Sequence, residues 1–163
     1  MYRIIFLLLI GFTIQSCGAP EQKKTHSTAE APKKAERRTD DGLGVGNIKS
    51  VKLTDPLDEA MIAKGLEIYD LKCMACHKLT SERVVGPGLE NITNIRRPEW
   101  IMNMVTNPDE MLEKDPTAIS LLEICLTKMP NQNVTEEEAR NILEFFRKND
   151  LEKTGKKDGA STN

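Results

Sequence analysis

The sequence predicts an all-α domain over residues 51–150, and three observations carry that prediction. Thr135 with Glu138 three residues on forms a capping box, and Ala139, Ile142, Leu143 and Phe146 follow it at the i, i+3, i+4, i+7 spacing of an amphipathic helix. Upstream, short apolar-periodic segments each begin at a proline, which suits a first helical turn. No alternating run of useful length and no internal repeat occurs.

The elements follow in order. A first helix is expected from Pro56 to about Lys72, capped by Asp55, with Asp58 and Glu59 adding early negative charge. Met61, Gly65, Tyr69 and Cys73 lie four apart and share one face. Gly65 costs about 1 kcal/mol against Ala inside a helix, a cost that close approach by another helix would justify. Residues 78–97, with the breaker Gly86-Pro87-Gly88, read as a loop. Short helices are expected at Pro98–Thr106, stopped by Asn107-Pro108, then Pro108–Glu113, and Pro116 to about Leu126. Met129-Pro130 breaks the pattern before the last helix, whose acidic start and basic Arg147 and Lys148 suit the macrodipole. Residues 151–163 read as a disordered, frayed tail.

Ahead of this domain, Arg3 precedes an apolar run from Ile4 to Ile14, too short to span a bilayer comfortably and suited to the core of a signal peptide over 1–16. The run ends in Ile14-Gln15-Ser16-Cys17, which resembles a bacterial lipobox. That resemblance implies cleavage before Cys17, lipid attachment to its sulfur, and an exported chain anchored to a bacterial membrane facing the periplasm. Residues 17–50 are poor in apolar side chains and read as a flexible tether, with a reach on the order of 100 Å when extended. His26 lies in it as a solvated side chain. Gly18-Ala19 after the anchor carry no acidic retention signal, which leans toward the outer membrane. The net charge of −2 gives no nucleic-acid signal. It is uneven: residues 51–150 hold 12 basic and 18 acidic side chains, while 18–50 hold 7 basic and 5 acidic. An acidic domain implies a partner with a basic docking patch.

The chemistry concentrates in Cys73-Met74-Ala75-Cys76-His77. A structural zinc site needs four Cys or His ligands. With Cys17 assigned to lipid, Cys73, Cys76 and Cys125 remain with His77 and His26, and no second paired motif exists. A redox dithiol needs its cysteines after a strand, at a helix N-terminus that lowers the thiol pKa. Here the pair follows a helix. Covalent haem attachment needs two thiols for the vinyl groups and an adjacent histidine for the iron, and Cys-x-x-Cys-His supplies all three. Its chance occurrence in such a chain is on the order of 0.001. The export signal agrees with attachment after translocation.

With these residues in place, the chain resembles bacterial mono-haem class I c-type cytochromes over about residues 55–150. The parts fall in the family's order: a helix with Gly65 and Tyr69, then "CMACH", "GPGL" at 86–89, Met129, and a last helix with Phe145-Phe146. The resemblance implies a small helical domain wrapped around one covalent haem c, held through Cys73 and Cys76. His77 is then the proximal ligand, the Pro87 carbonyl fixes its tautomer, and Met129, 52 residues after His77, is the distal ligand. Met61, Met102, Met104 and Met111 are expected to pack the core, and Met74 sits inside the attachment motif. Cys125 is expected as a buried thiol acting as a small apolar residue. Arg96, Arg97 and Trp100 either meet the haem propionates or form a solvated basic pair beside a packed tryptophan.

Two protein ligands leave no site for substrate, so the resemblance implies an electron carrier and not an enzyme. No distal histidine or catalytic pair suggests a peroxidase. The competing reading is a haem-based sensor or gas-binding module with an open distal site. Finer similarity lies in "GVGNIKSV", "VGPGLENIT", "RRPEWIMNM" and "MPNQNVTEEEARNILEFFR", which look like lipoprotein cytochromes c encoded beside nitrous oxide reductase in Bacteroidetes-type bacteria. That similarity implies a quinol-oxidising donor complex and, as acceptor, nitrous oxide reductase, with a terminal oxidase as its competitor.

Overall fold

A computed structural model describes residues 41–161. The signal peptide, Cys17, His26 and most of the tether lie outside the described residues. The described residues form six helices: α1 Glu59–Lys72, α2 Ile92–Ile95, α3 Pro98–Thr106, α4 Pro108–Lys114, α5 Pro116–Cys125 and α6 Glu136–Thr154. They contain no strand, only one isolated antiparallel bridge between His77 and Arg83.

α1 and α6 make the central packing. The predicted face of α6 is buried, with Ala139, Ile142 and Leu143 fully enclosed and Phe146 nearly so. Gly65 has the role its cost suggested: a Cβ there would meet the Asn141 carbonyl oxygen at 2.1 Å and Phe145 Cβ at 2.8 Å. The Tyr69 ring lies 5.5 Å from Phe145 and 6.3 Å edge-on from Phe146, a geometry aromatic pairs favour. The capping box is present in full, with Thr135 N donating to Glu138 Oε2 (2.8 Å) and Glu138 N to Thr135 Oγ1 (3.2 Å).

Four boundaries differ from expectation, three of them because a distant side chain captures the backbone. α1 starts at Glu59, not Pro56, and its cap is Asp58, whose carboxylate accepts from the amides of Ala60 and Met61. The Asp58 amide itself donates to Glu144 on α6, which pins the preceding segment outside the helix. The loop at 78–97 contains α2, because Asp150 on α6 accepts from the Asn91 amide, the Thr93 amide and the Thr93 hydroxyl. α6 runs on to Thr154 and ends at Gly155 in the left-handed region (φ 71°). The tail beyond it does not fray: Asp158 accepts two hydrogen bonds from Arg147, Gly159 N donates to Asn94, and Ala160 is buried.

The fourth boundary concerns the tether. It was expected to stay flexible through residue 50, yet 41–50 lie as a strap across α3 and α4. Val45 and Ile48 are buried there. Asn103 on α3 holds the strap from both directions, accepting from the Ile48 amide (3.1 Å) and donating to the carbonyls of Leu43 and Ile48 (2.9 Å each). Gly44 (φ 75°) fits against Met111, where a Cβ would meet the sulfur at 2.9 Å. Few apolar residues are needed for this docking, because side-chain amides and glycine backbone supply the fit.

Candidate haem site

The Cys-x-x-Cys-His run begins where α1 ends. Cys73 is the helix C-cap, its amide bonded to the Tyr69 carbonyl. The amides of Cys76 and His77 both return to the Cys73 carbonyl (3.0 Å each), closing a tight turn. That turn sets Cys73, Cys76 and His77 together in the wall of one cavity of about 490 Å³. The size lies within the range of cofactor pockets. Most of the remaining wall is aliphatic, including Leu89, Ile92, Leu112, Leu121 and Leu122.

The histidine is held in three ways. Its Nδ1 lies 2.9 Å from the Pro87 carbonyl oxygen, which can only accept, so Nδ1 carries the proton and Nε2 is left as the ring's free donor for a metal. Its own carbonyl accepts from the buried Tyr69 hydroxyl at 2.7 Å. The Gly86 backbone lies flat against the ring, where a Cβ would come within 2.3 Å of His77 Cε1, and Gly86 N donates to the Cys76 carbonyl. Gly88 is equally confined, its Cβ position 2.1 Å from the Thr80 carbonyl oxygen. Both glycines of the Gly-Pro-Gly breaker are therefore required by close approach, Gly86 to the His77 ring and Gly88 to the backbone of the loop that follows it.

Electrostatics separate the site from a redox dithiol. Burial pushes the Cys73 thiol up to about 11, with Lys72 opposing and Cys76 adding to the rise. A redox-active thiol needs the opposite shift. Among the described residues no group of three or more His, Cys, Asp and Glu side chains is placed to hold a bare metal ion. Two thiols, a histidine with one free nitrogen and an aliphatic wall fit a covalently attached haem.

The methionines sort by position. Met111 is fully buried behind the wall, its sulfur accepting from the Val45 amide (2.9 Å). Met102 is core, and Met74 is exposed. Two line the cavity, Met104 from α3 and Met129 from the segment before α6. Met104 also packs against the core cluster, while Met129 does not. Cys125 was expected to be buried; it is half-buried and lines the same cavity. Of the three propionate candidates, Arg96 lines the cavity and stacks 5.4 Å from the Trp100 ring centre. Trp100 lines it too, but its indole N–H is donated to Asp115 (3.0 Å) and is not free for a propionate. Arg97 lies outside the lining, against Gly42 of the strap and Glu99. The Tyr69 hydroxyl and the Asp150 clamp behind Ile92 escaped sequence reasoning; the apolar pair Ile92 and Ile95, at helical spacing inside a polar loop, was the one available signal.

A small helical domain with this cavity defines a c-type cytochrome. The cytochrome c family model matches residues 62–150. Cytochrome c from Rhodothermus marinus is 34% identical, superposes with a TM-score of 0.66, and the match covers 69% of this chain and 96% of that one. An engineered form of the same cytochrome gives 34% identity and a TM-score of 0.63, covering 67% and 94%. A further structure of the engineered form, bound to a carbene intermediate, gives a TM-score of 0.61 at 34% identity and the same coverage. No curated protein shows significant similarity. The chain belongs to the cytochrome c family. It carries a covalently bound c-type haem and works as an electron carrier among redox proteins, not as an enzyme.

Proposed function

We propose that this protein is a lipid-anchored mono-haem cytochrome c that carries single electrons in a periplasmic respiratory chain. Cys73 and Cys76 would hold the haem through thioethers, and His77 and Met129 would supply the protein ligands to its iron. When bound, the haem supplies an iron that alternates between Fe(II) and Fe(III). The observation that carries the reading is the His77 ring, its Nδ1 bonded to the Pro87 carbonyl and its Nε2 free in a cavity that also holds both thiols and Met129. The Pro87 carbonyl orients the imidazole. The Met129 thioether favours the reduced iron. Leu89, Ile92, Leu112 and Leu121 limit water, and Arg96 is placed to meet a propionate.

Anchoring through Cys17 and export to the periplasm rest on the Ile14-Gln15-Ser16-Cys17 run. A quinol-oxidising complex as donor, and nitrous oxide reductase or a terminal oxidase as acceptor, rest on the sequence similarities quoted above. Reduced-minus-oxidised spectra of the wild type and Met129→Ala test the ligand set. The wild type is expected to show the near-infrared thioether band and the variant to lack it. A wild type without the band, or a variant that keeps it, overturns Met129.

The open-site reading has one observation in its favour. Among the described residues, Thr127–Gln132 make no hydrogen bond to the body of the domain. Rapid carbon monoxide binding by the reduced wild type would select that reading over the carrier.

A further inference from the structure

The two rims of the haem crevice are unequally secured. The loop after His77 is stitched to its own base by Gly86 N to Cys76 O, Leu89 N to Lys78 O and the ring contact to Pro87. The other rim is the end of α5 and the segment that carries Met129. Its helix ends at Leu126 in the left-handed region (φ 58°), a conformation side chains with a Cβ avoid, and the last turn of α5 holds no basic residue. One side chain bridges the rims. Arg83 Nη1 donates to the Ile124 carbonyl at 2.6 Å. Among the described residues no other hydrogen bond joins 78–88 to 116–134.

The contact is chemically apt at both ends. Ile124 is the penultimate residue of α5, so its carbonyl is one of those an α-helix leaves without an intrahelical partner. A guanidinium there satisfies the carbonyl and supplies the positive charge that the helix end lacks. At its other end, the Arg83 backbone pairs with His77 through the isolated bridge. One residue thus connects the backbone of the proximal ligand to the helix end five residues before Met129.

We propose that Arg83 is a latch across the crevice mouth, a positioning residue that holds the Met129 segment toward the iron and resists its displacement. The proposal rests on Met129 being the distal ligand. The test uses the haem-loaded full chain, with imidazole as a probe that competes with Met129 for ferric iron. Arg83→Ala is expected to bind imidazole about tenfold more tightly than the wild type and to show a weakened near-infrared thioether band. Arg83→Met, which keeps an aliphatic stem over the rim and removes only donor and charge, is expected to do the same, and it serves if the alanine variant fails to accumulate. A shift of about threefold or more in either variant supports the latch. A smaller shift with an intact band overturns it. A wild type without the band would overturn the Met129 reading itself, so the two failures are distinguishable.

Discussion

The Tyr69 hydroxyl joins helix packing to the chemistry of the site. Its ring packs on Phe145 and Phe146 of α6, and its oxygen donates to the carbonyl of His77. Tyr69→Phe keeps the ring contacts and removes only that bond, leaving the half-buried His77 carbonyl without this donor. The expected loss is about 1 kcal/mol, or ~4 °C in thermal midpoint, with the haem still attached. Thermal unfolding followed by far-ultraviolet circular dichroism checks it, and an unchanged midpoint would show that the hydroxyl contributes nothing. Cys73, Cys76 and His77 were legible from the chain because attachment chemistry demands three residue types at fixed local spacing. Pro87 followed from the family resemblance, and its carbonyl lies 2.9 Å from His77 Nδ1. For Trp100 and Arg97 the packed alternative accords with their contacts: Asp115 takes the Trp100 N–H and the strap lies against Arg97, and neither contact is local in sequence.

Between elements, α6 is tied to the segment before α1 and to the tail by a buried ionic cluster. Glu144, fully buried, accepts from Thr54, the Asp58 amide, Arg140 and Arg147. Burial alone would raise the Glu144 carboxyl, yet the bonds from Asp58, Arg140, Thr54 and Arg147 together hold it below the usual range. Burial likewise opposes Asp158, and the bond and charge of Arg147, with Lys157, hold it low. A carboxylate depressed in the folded state stabilises above its unfolded value and loses that contribution as pH falls through the folded one. Stability should therefore be full above about pH 5 and decline below about pH 4. Asp158→Asn is expected to cost about 2 kcal/mol at pH 7 and to flatten part of the acid decline. Thermal midpoints of both proteins from pH 3 to 7 test this; parallel curves would remove Asp158 from the cluster's acid response. Helix existence was readable along the chain, since prolines, the capping box and the apolar stripe are local signals. Where α1 begins and that α2 exists were not, because Glu144 and Asp150 on α6 set them from far away in sequence; α6 itself ends locally, at Gly155.

The domain as a whole begins earlier and ends later than its composition suggests. The strap buries Val45 and Ile48, covers Met111 and uses three hydrogen bonds of Asn103. Starting the haem-loaded domain at residue 51 in place of 41 is expected to lower stability by about 3 kcal/mol, from two lost aliphatic side chains and a buried amide left unpaired. Urea unfolding of the two proteins tests it, and equal midpoints would mean that the strap adds nothing to the fold. The all-α class, the attachment motif and the apolar face of α6 were encoded locally, by spacing and residue type. Contacts between residues far apart in sequence settled the rest. They chose Met104 and Met129, of several methionines, for the cavity wall, committed Trp100 to Asp115, and drew polar segments at both ends onto the core. Such segments dock through side-chain amides and carboxylates that meet specific backbone groups, and no periodicity in a single chain records those meetings.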